Sequence, residues 1–223
     1  MIRHRTPEAL RATKARYNLD VGIRERVDLV SQSGYCLFET ALGWCGIAWC
    51  ESDGRPAVTA LALPEAVRTM TERRVAKRSG AHQPRTPPPE IAQTVERLCR
   101  HMGGEVQDFR DIAIDLEGVD PFARQVYAAA REIPAGETRT YGEIAKALNH
   151  SDAAPAVGQA LAKNRIPLII PCHRVLAAGG KAGGFSAYGG LATKAKLLAI
   201  EGAAFGRLRG QRSFEFPTGS PRS

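Results

Sequence analysis

The sequence predicts a mixed α/β (α+β) protein, in which a strand-rich N-terminal half precedes a mainly helical C-terminal half. Short apolar, β-branched and aromatic runs separated by turn residues indicate strands between residues 35 and 63. Helix start signals at residues 120 and 140 precede apolar residues at helical spacing, and the second opens a helix-turn-helix pattern. The length of 223 residues allows one large domain or two small ones, each with its own core.

Composition and element type divide the chain into four segments. Residues 1–18 are basic with little apolar periodicity and are expected to form a flexible arm, which could also touch phosphates. Residues 19–118 are predicted to form an N-terminal α/β structural domain, and residues 119–205 a second domain. Residues 206–223 are expected to be a mildly basic flexible tail.

The N-terminal domain should begin with a small antiparallel meander. Its strands are expected at 35–40, 44–50 and 58–63, because turn residues separate these runs. Pro64 suits the first turn of a helix that runs to about residue 78. Prolines between 79 and 89 predict a surface loop, after which a second helix spans 90–102 and residues 112–116 form one more strand.

The second domain should begin with a capped helix. Asp120 can cap the helix, and Pro121 suits its first position. Phe122, Val126 and Ala130 fall on one face of this helix and are core candidates.

A capping-box pattern, formed by Thr140 and Glu143, opens the helix-turn-helix. We expect helices at 141–148 and 154–163, joined by a polar turn at 149–152. The second helix carries small residues, which suits close approach to a backbone more than base reading by long side chains. A tight helix packed inside the protein is the alternative. The small residues are Ala154, Ala156, Gly158, Ala160 and Ala162.

Residues 169–175 place Cys172 directly beside His173, after an apolar run that indicates a buried strand or core segment. A thiolate is the nucleophilic form of cysteine, and a free thiol must be activated by a base, a cation or a helix N-terminus. His173 and Arg174 are candidates for that activation, which predicts a Cys172 pKa below the ordinary thiol value. The alternative is a core thiol beside a satisfied core histidine.

Residues on both sides of this pair occur in a characteristic order. Upstream lie 133–145, 156–158 and Asn164, and downstream lie Gly189-Gly190, Lys194 and 197–202. Together with the Pro-Cys-His-Arg-Val string, this ordered set resembles the C-terminal domain of the O6-alkylguanine-DNA alkyltransferases, the suicide DNA-repair proteins. The resemblance implies an N-terminal α/β domain of ribonuclease-H-like topology with a mainly structural role, followed by a mainly helical DNA-binding domain.

The resemblance assigns the chemistry to five residues. Cys172 attacks the alkyl carbon of O6-alkylguanine, with O4-alkylthymine as a further candidate substrate, and the stable thioether consumes the protein in one turnover. His173 acts through a water as the proton acceptor and is oriented by Glu201. Asn164 hydrogen-bonds the turn that carries the recognition helix and the cysteine region. Tyr141 crowds the 3′ phosphate, so that the damaged nucleotide rotates out of the duplex.

The glycine-rich segment 179–190 corresponds to the family loop that closes over the flipped base. Ser186 matches the family serine near the guanine oxygen, and Phe185 stands at the tyrosine position. The segment is two residues longer here, so Tyr188 could supply the hydroxyl instead. Val175 and Lys194 complete the expected substrate site, with Lys194 mainly supporting the loop.

The resemblance implies that the helix at 154–163 enters the minor groove. In the family, an arginine before its Ala-Val-Gly fills the gap left by the flipped base, and here that position is Pro155. A proline has no cationic fork and can only be a short apolar wedge. The nearest cationic substitutes are Lys163 and Arg165. The residues expected to contact DNA are Tyr141, Pro155, Ala156, Gly158, Lys163 and Arg165.

The favoured function is therefore irreversible alkyl transfer to Cys172 from double-stranded DNA that contains alkylated guanine. One alternative is a damage-binding or sensing protein with weak transfer, because Pro155 replaces the arginine. The other is an alkyl acceptor for a substrate that is not duplex DNA. The family's non-enzymatic relatives replace the cysteine, which this chain keeps.

Composition agrees with a nucleic-acid partner. The 31 Lys and Arg residues against 23 Asp and Glu give a formal net charge of +8, which favours polyanions, although surface solubility alone gives the same balance. Five cysteines and no secretory segment indicate a reducing cytoplasm. No apolar run approaches the roughly 20 residues that cross a bilayer. We expect a monomer that does not bind a membrane.

Some family members carry zinc in the N-terminal domain. The residues weighed as zinc ligands are Cys36, Cys45, Cys50, Cys99, His82 and His101. Their spacing gives no closed tetrahedral signature, so core thiols are the preferred interpretation, and neither a metal nor a cofactor is expected.

Overall fold

The structure is a computed structural model that describes residues 33–79 and 83–204. The predicted arm at 1–18, the tail at 206–223 and His82 lie outside the described residues. The chain divides into two compact units. Among the described residues, the first comprises 33–79, 83–107 and 111–116, whereas the second comprises 108–110 and 117–204.

The first unit contains the predicted antiparallel meander. Strands β1 (Gly34–Thr40), β2 (Gly43–Ser52) and β3 (Arg55–Ala62) pair in the order β1-β2-β3. Asp53 and Gly54 join β2 to β3 with φ angles of 51° and 73°, as a two-residue hairpin turn with left-handed backbone requires. The strand prediction is confirmed, with bounds that differ by up to three residues.

Two helices complete the regular structure described in this unit. Helix α1 spans Arg68–Ser79 and helix α2 spans Pro89–Met102. The prediction that the first helix begins at Pro64 is wrong, because the first backbone hydrogen bond of helical spacing runs from the Thr71 N–H to the Val67 carbonyl and the helix begins at Arg68. The predicted strand at 112–116 is reduced to a single parallel bridge between Ile114 and Val58.

The second unit is mainly helical. Its elements are α3 (Pro121–Arg131), β4 (Arg139–Thr140), α4 (Tyr141–Ala147), α5 (Ala154–Ala162), a 3₁₀ turn (Cys172–Arg174), β5 (Val175–Leu176), a second 3₁₀ turn (Ala178–Gly180) and α6 (Gly190–Ile200). The short strands β4 and β5 pair in parallel, with Thr140 opposite Leu176. This pairing brings the start of α4 beside the segment that follows the Cys-His pair.

Side-chain caps fix the starts of α3 and α4. The Asp120 carboxylate accepts hydrogen bonds from the backbone N–H groups of Phe122 and Ala123. The Thr140 hydroxyl accepts from the Glu143 N–H at 3.1 Å, and the Glu143 carboxylate accepts from the Thr140 N–H at 2.6 Å, which confirms the capping box. The helix-turn-helix is present as well, with both helices one residue shorter than predicted.

One packing expectation needs correction. Val126 and Ala130 are buried, but Phe122 is only partly buried and lies edge-on to the His150 ring, with 5.6 Å between the ring centroids. Of the two interpretations of the apolar run before Cys172, the buried core segment is confirmed, because the run forms turns and an isolated bridge and no strand. Among the helices in the described part of the chain, none has the length and apolar character needed to cross a membrane.

Candidate active site

Asn164 holds the chain in place ahead of Cys172. Its amide nitrogen donates to the Ile170 carbonyl at 2.8 Å, and its amide oxygen accepts from the Ile166 N–H at 2.9 Å. The backbone adds a direct hydrogen bond of 2.8 Å from the Ile170 N–H to the Ile166 carbonyl. Because all these groups are buried, breaking one would leave an unsatisfied polar group, so this loop has a strongly preferred shape.

The loop also contains strained backbone. Leu168 has a φ of 72°, a left-handed conformation that costs a non-glycine residue on the order of 1–3 kcal/mol. Its side chain is buried, so apolar packing together with the Asn164 hydrogen bonds maintains the conformation. Pro171, with φ −81° and ψ 63°, then makes an inverse γ-turn, in which the Cys172 N–H donates to the Ile170 carbonyl at 2.8 Å.

Cys172 begins the 3₁₀ turn and lines a pocket of about 790 Å³. The pocket is walled by the start of α4, one side of α5 and the glycine-rich segment, all within the second unit. Its lining is mostly apolar and consists of Thr140, Tyr141, Gly142, Ala154, Pro155, Gly158, Gln159, Leu161, Ala162, Cys172, Ala177, Ala178, Gly184, Phe185 and Ser186.

Burial raises the pKa of the Cys172 thiol above its ordinary value, because desolvation disfavours the thiolate. A hydrogen bond from the Asn164 side chain and the positive charge of Lys194 act in the opposite direction but do not outweigh desolvation. The expectation of a lowered pKa is therefore wrong. At neutral pH Cys172 is a thiol, which needs a proton acceptor at the moment of reaction.

Lys194 is a buried cation near this thiol. Its ammonium donates to the Val175 carbonyl at 2.6 Å and to the Gly184 carbonyl at 3.4 Å. Burial lowers the pKa of Lys194 to about 8, and the neighbouring Cys172 opposes that shift. The contacts agree with the expected support of the glycine-rich loop, and they also bring a positive charge to the nucleophile.

His173, Arg174 and Glu201 form a buried cluster behind Cys172. The His173 Nε2 and Glu201 Oε1 atoms are 3.0 Å apart. Arg174 binds the same carboxylate with two hydrogen bonds, from Nε at 2.9 Å and from Nη2 at 2.8 Å, and also donates to the Ile133 carbonyl. Glu201 alone would be interpreted as a solvated charge at a helix end, but here it is buried and orients the histidine that follows the nucleophile.

Tyr141 lies between α5 and the glycine-rich segment. The Gly184 backbone N–H donates to its hydroxyl oxygen, while burial and the neighbouring Cys172 raise the Tyr141 pKa. Gly183 packs directly on the ring: it has a φ of 62°, and a Cβ atom there would lie 2.8 Å from the hydroxyl oxygen. Gly158 faces the other side, where an added Cβ would be 3.9 Å from the ring. Tyr141 thus contacts the loop that closes the pocket.

The expected substrate residues fall into two groups. Phe185 and Ser186 line the pocket, whereas Tyr188 is absent from the lining and 53% exposed. Of the two candidate hydroxyls, the one on Ser186 is therefore at the pocket. Val175 and Lys194 are buried and lie outside the lining. The Lys194 ammonium donates to the Val175 carbonyl and to the carbonyl of Gly184, which does line the pocket.

The residues expected to contact DNA also fall into two groups, one in the pocket lining and one outside it. Pro155 and Gly158 line the pocket, while Ala156, Lys163 and Arg165 are exposed outside the lining. The buried Tyr127 hydroxyl donates to the Ala160 carbonyl at 3.0 Å and ties α5 to α3.

Gln159 is a pocket-lining residue that sequence reasoning missed. The available signal was its position four residues after Pro155, which places both residues on one face of α5.

All five cysteines of the chain are free thiols. Burial raises the pKa values of Cys36 and Cys45, the latter to about 12, as for core thiols. Within residues 33–79 and 83–204, no three His, Cys, Asp or Glu side chains are grouped closely enough to hold a metal ion.

Comparisons with known proteins agree with the sequence resemblance. The family model described as 6-O-methylguanine DNA methyltransferase, DNA binding domain, matches residues 121–203. The chain is 46% identical over 114 residues to a methylated-DNA--protein-cysteine methyltransferase of Mycolicibacterium paratuberculosis, a match that covers 51% of this chain and 67% of that protein. A protein of the same name from Mycobacterium tuberculosis is 44% identical over 117 residues, which cover 52% and 68% of the two chains.

Solved structures show the same relationship. Mycobacterium tuberculosis OGT in complex with DNA has a TM-score of 0.57 and 35% identity, over 75% of this chain and 92% of that one. The O6-methylguanine-DNA methyltransferase of Pyrococcus kodakaraensis has a TM-score of 0.57 and 28% identity, over 74% of this chain and 98% of that one. The mixed α/β fold is thus shared with these proteins, and the chain belongs to the methylated-DNA--protein-cysteine methyltransferase family.

Proposed function

We propose that this protein repairs O6-alkylguanine in double-stranded DNA by transferring the alkyl group to Cys172 in a single turnover. The observation that carries the proposal is the position of Cys172. Its side chain lines a pocket walled by small residues of α5, and a buried histidine and carboxylate lie directly behind it. The names of the relatives, and the DNA complex of one solved structure, support the same reaction.

The reaction requires one displacement at carbon. A bond forms between the Cys172 sulfur and the alkyl carbon as the bond from that carbon to O6 breaks, and its electron pair stays on the guanine. The thiol proton leaves Cys172 and a proton reaches guanine N1 by way of solvent, so that the products are a neutral guanine and a thioether. Since a thioether is a poor leaving group, the protein is consumed.

Proton removal is the step that the buried cluster serves. Because burial disfavours a free thiolate, the proton has to leave Cys172 as the attack begins. His173 is the proposed acceptor through a water, and the imidazolium that results would be stabilised by the Glu201 carboxylate 3.0 Å away. The Lys194 ammonium would stabilise the developing negative charge on sulfur.

The damaged nucleotide has to leave the stack to reach Cys172. We propose that α5 enters the minor groove, because its small residues permit close approach to the sugar-phosphate backbone. Tyr141, at the first turn of α4, would then press on the 3′ phosphate. Ser186, with Phe185 as a wall, would hold the guanine edge, and Asn164 would keep Cys172 in register.

The finer assignments belong to the same proposal. They are a structural domain at 19–118 with ribonuclease-H-like topology, a catalytic and DNA-binding domain at 119–205, and action as a cytoplasmic monomer without a cofactor. Free thiols at all five cysteines suit a reducing compartment. O4-alkylthymine is a second candidate substrate.

Stoichiometry tests the proposal. A duplex with one O6-methylguanine is supplied in excess, and the guanines restored per protein molecule are counted. We expect the count to stop at one, to be zero for Cys172→Ala, and to be unchanged for the control Cys99→Ala, which alters a thiol of the other unit. Continued turnover, or restoration by Cys172→Ala, would contradict the proposal.

One observation also favours a second candidate function. Pro155 lines the pocket where the family has an arginine, so extrusion of the nucleotide is less well compensated. An acceptor for single-stranded or free-base substrates would show slow transfer from duplexes and fast transfer from those substrates. A damage sensor would also transfer slowly from duplexes, but it would bind a duplex with the lesion more tightly than one without it. Comparing the three rates together with the two duplex affinities separates the candidates.

A further inference from the structure

The pocket-facing side of α5 carries a single polar side chain. Apart from Gln159, the α5 residues that line the pocket are Ala154, Pro155, Gly158, Leu161 and Ala162. All of these are small or apolar, so the amide of Gln159 is the longest polar group on this wall. One helical turn separates Gln159 from Pro155, and both side chains lie at the exposed rim.

The Gln159 amide is available for a ligand. The residue is exposed, and none of the hydrogen bonds between side chains of the described ranges involves it. A primary amide has one strong acceptor and two donors, which retain their full capacity for pairing at this position. Gln159 is held at the rim by a helix, and α5 itself is anchored by the buried Tyr127 hydroxyl bond to Ala160.

We propose that Gln159 pairs with the orphaned pyrimidine, the base left in the duplex when its alkylated guanine partner rotates into the pocket. This inference rests on the proposed function, because an orphaned base exists only if the nucleotide is extruded. Once the guanine occupies the pocket beside Cys172, the rim of that pocket faces the gap that the nucleotide has left. The exposed α5 residues of the lining are Pro155, Gln159 and Ala162, and of these Gln159 carries the polar side chain.

The chemistry of the amide fits either pyrimidine. Cytosine presents the N4 donor next to the N3 acceptor, and thymine presents the N3 donor next to the O4 acceptor. An amide turned one way or the other forms two hydrogen bonds with each of these edges. A guanidinium has only donors, so it cannot accept the proton that each pyrimidine offers. Gln159 therefore suits lesions that stand opposite cytosine as well as those opposite thymine.

Pro155 and Gln159 together can make the two contributions that the single arginine at the Pro155 position makes in the family. The proline ring supplies apolar volume against the exposed base step. The amide supplies the hydrogen bonds that the orphaned base has lost. The same helical turn thus provides both contributions that stabilise an extruded nucleotide.

The test compares transfer rates of Gln159→Ala and Gln159→Met with those of the wild type. Each protein reacts with O6-methylguanine duplexes that carry cytosine, thymine or an abasic site opposite the lesion, and with free O6-benzylguanine. Gln125→Ala, at an exposed helical position that does not line the pocket, is the matched control. We expect both variants to lose about threefold to tenfold in rate opposite cytosine and thymine, as the loss of one or two hydrogen bonds predicts.

The abasic duplex and the free base decide the interpretation. Opposite an abasic site, and with the free base, the Gln159 variants should react as fast as the wild type. Equal slowing opposite the abasic site would overturn the inference, because Gln159 would then contact the backbone or the groove. Unchanged rates opposite both pyrimidines would overturn it too. If the wild type itself alkylates no Cys172 with any of these substrates, the proposed function fails together with this inference.

Discussion

Lys194→Met removes a buried positive charge, and its effect on stability should depend on pH. Lys194 is fully buried, and its pKa falls from the ordinary 10.5 to about 8. A fall of that size corresponds to ~3 kcal/mol by which the charged ammonium destabilises the folded state at neutral pH. Methionine relieves that cost but leaves the Val175 carbonyl without its donor, which costs about 1–3 kcal/mol. At pH 7 the two effects nearly cancel.

The sign of the pH dependence follows from which state holds the proton. Between about pH 8 and the ordinary value of 10.5, the unfolded chain keeps a proton on Lys194 that the folded protein has released. Unfolding therefore takes up a proton in this window, and the wild type gains stability as the pH rises. The methionine variant lacks this gain. Its stability relative to the wild type should fall by about 2–3 kcal/mol between pH 7 and pH 10.

Urea unfolding followed by far-UV circular dichroism measures this difference. Tryptophan fluorescence is unsuitable, because Trp44 and Trp49 both lie in the first unit, whereas Lys194 lies in the second. The control is Lys196→Met, which removes an exposed lysine from the same helix and should show no such pH dependence. A stability difference between Lys194→Met and the wild type that stays constant from pH 7 to pH 10 would refute the reasoning.

Three further substitutions test the pocket. Gly183→Ala places a non-glycine residue at a φ of 62°, with its Cβ atom 2.8 Å from the Tyr141 hydroxyl oxygen. Transfer from free O6-benzylguanine should therefore fall about tenfold. The control Gly184→Ala adds a Cβ atom with no neighbouring atom within 4 Å, so its transfer rate should equal that of the wild type. Glu201→Gln should slow transfer more than it weakens DNA binding in a filter assay; equal losses would contradict an orienting role. Pro155→Arg should accelerate duplex repair about tenfold and leave the free-base rate unchanged, and a uniform change in both rates would count against a wedge.

Local signals in the sequence predicted much of the fold. Turn residues located the three strands, and the Asp120 cap and the capping box at Thr140 located α3 and α4. Such signals depend on neighbours in the chain, which a sequence displays directly. The start of α1 was misplaced because a proline suits a first helical turn without requiring one, and the helix begins only at Arg68. The single bridge at Ile114 likewise depends on packing against β3.

The ordered motif predicted which residues gather around Cys172, but not its electrostatics. Sequence reasoning counted the potential activators of the thiol and left out desolvation, which arises only when the chain packs around it. The buried Arg174–Glu201 contact joins residues 27 positions apart, and no spacing rule indicates it. Gln159 was missed because a single polar residue on a helix is normally a solvated one, and only the pocket gives it significance.

Intact-mass measurement of the protein after incubation with an O6-methylguanine duplex tests the central claim most directly. The account predicts the gain of one methyl group per molecule, and peptide mapping should place it on Cys172, since this thiol lines the pocket. Cys172→Ala should bind the duplex and gain no mass. Methylation at Cys36, Cys45, Cys50 or Cys99, or no gain in mass by folded wild-type protein, would contradict the account.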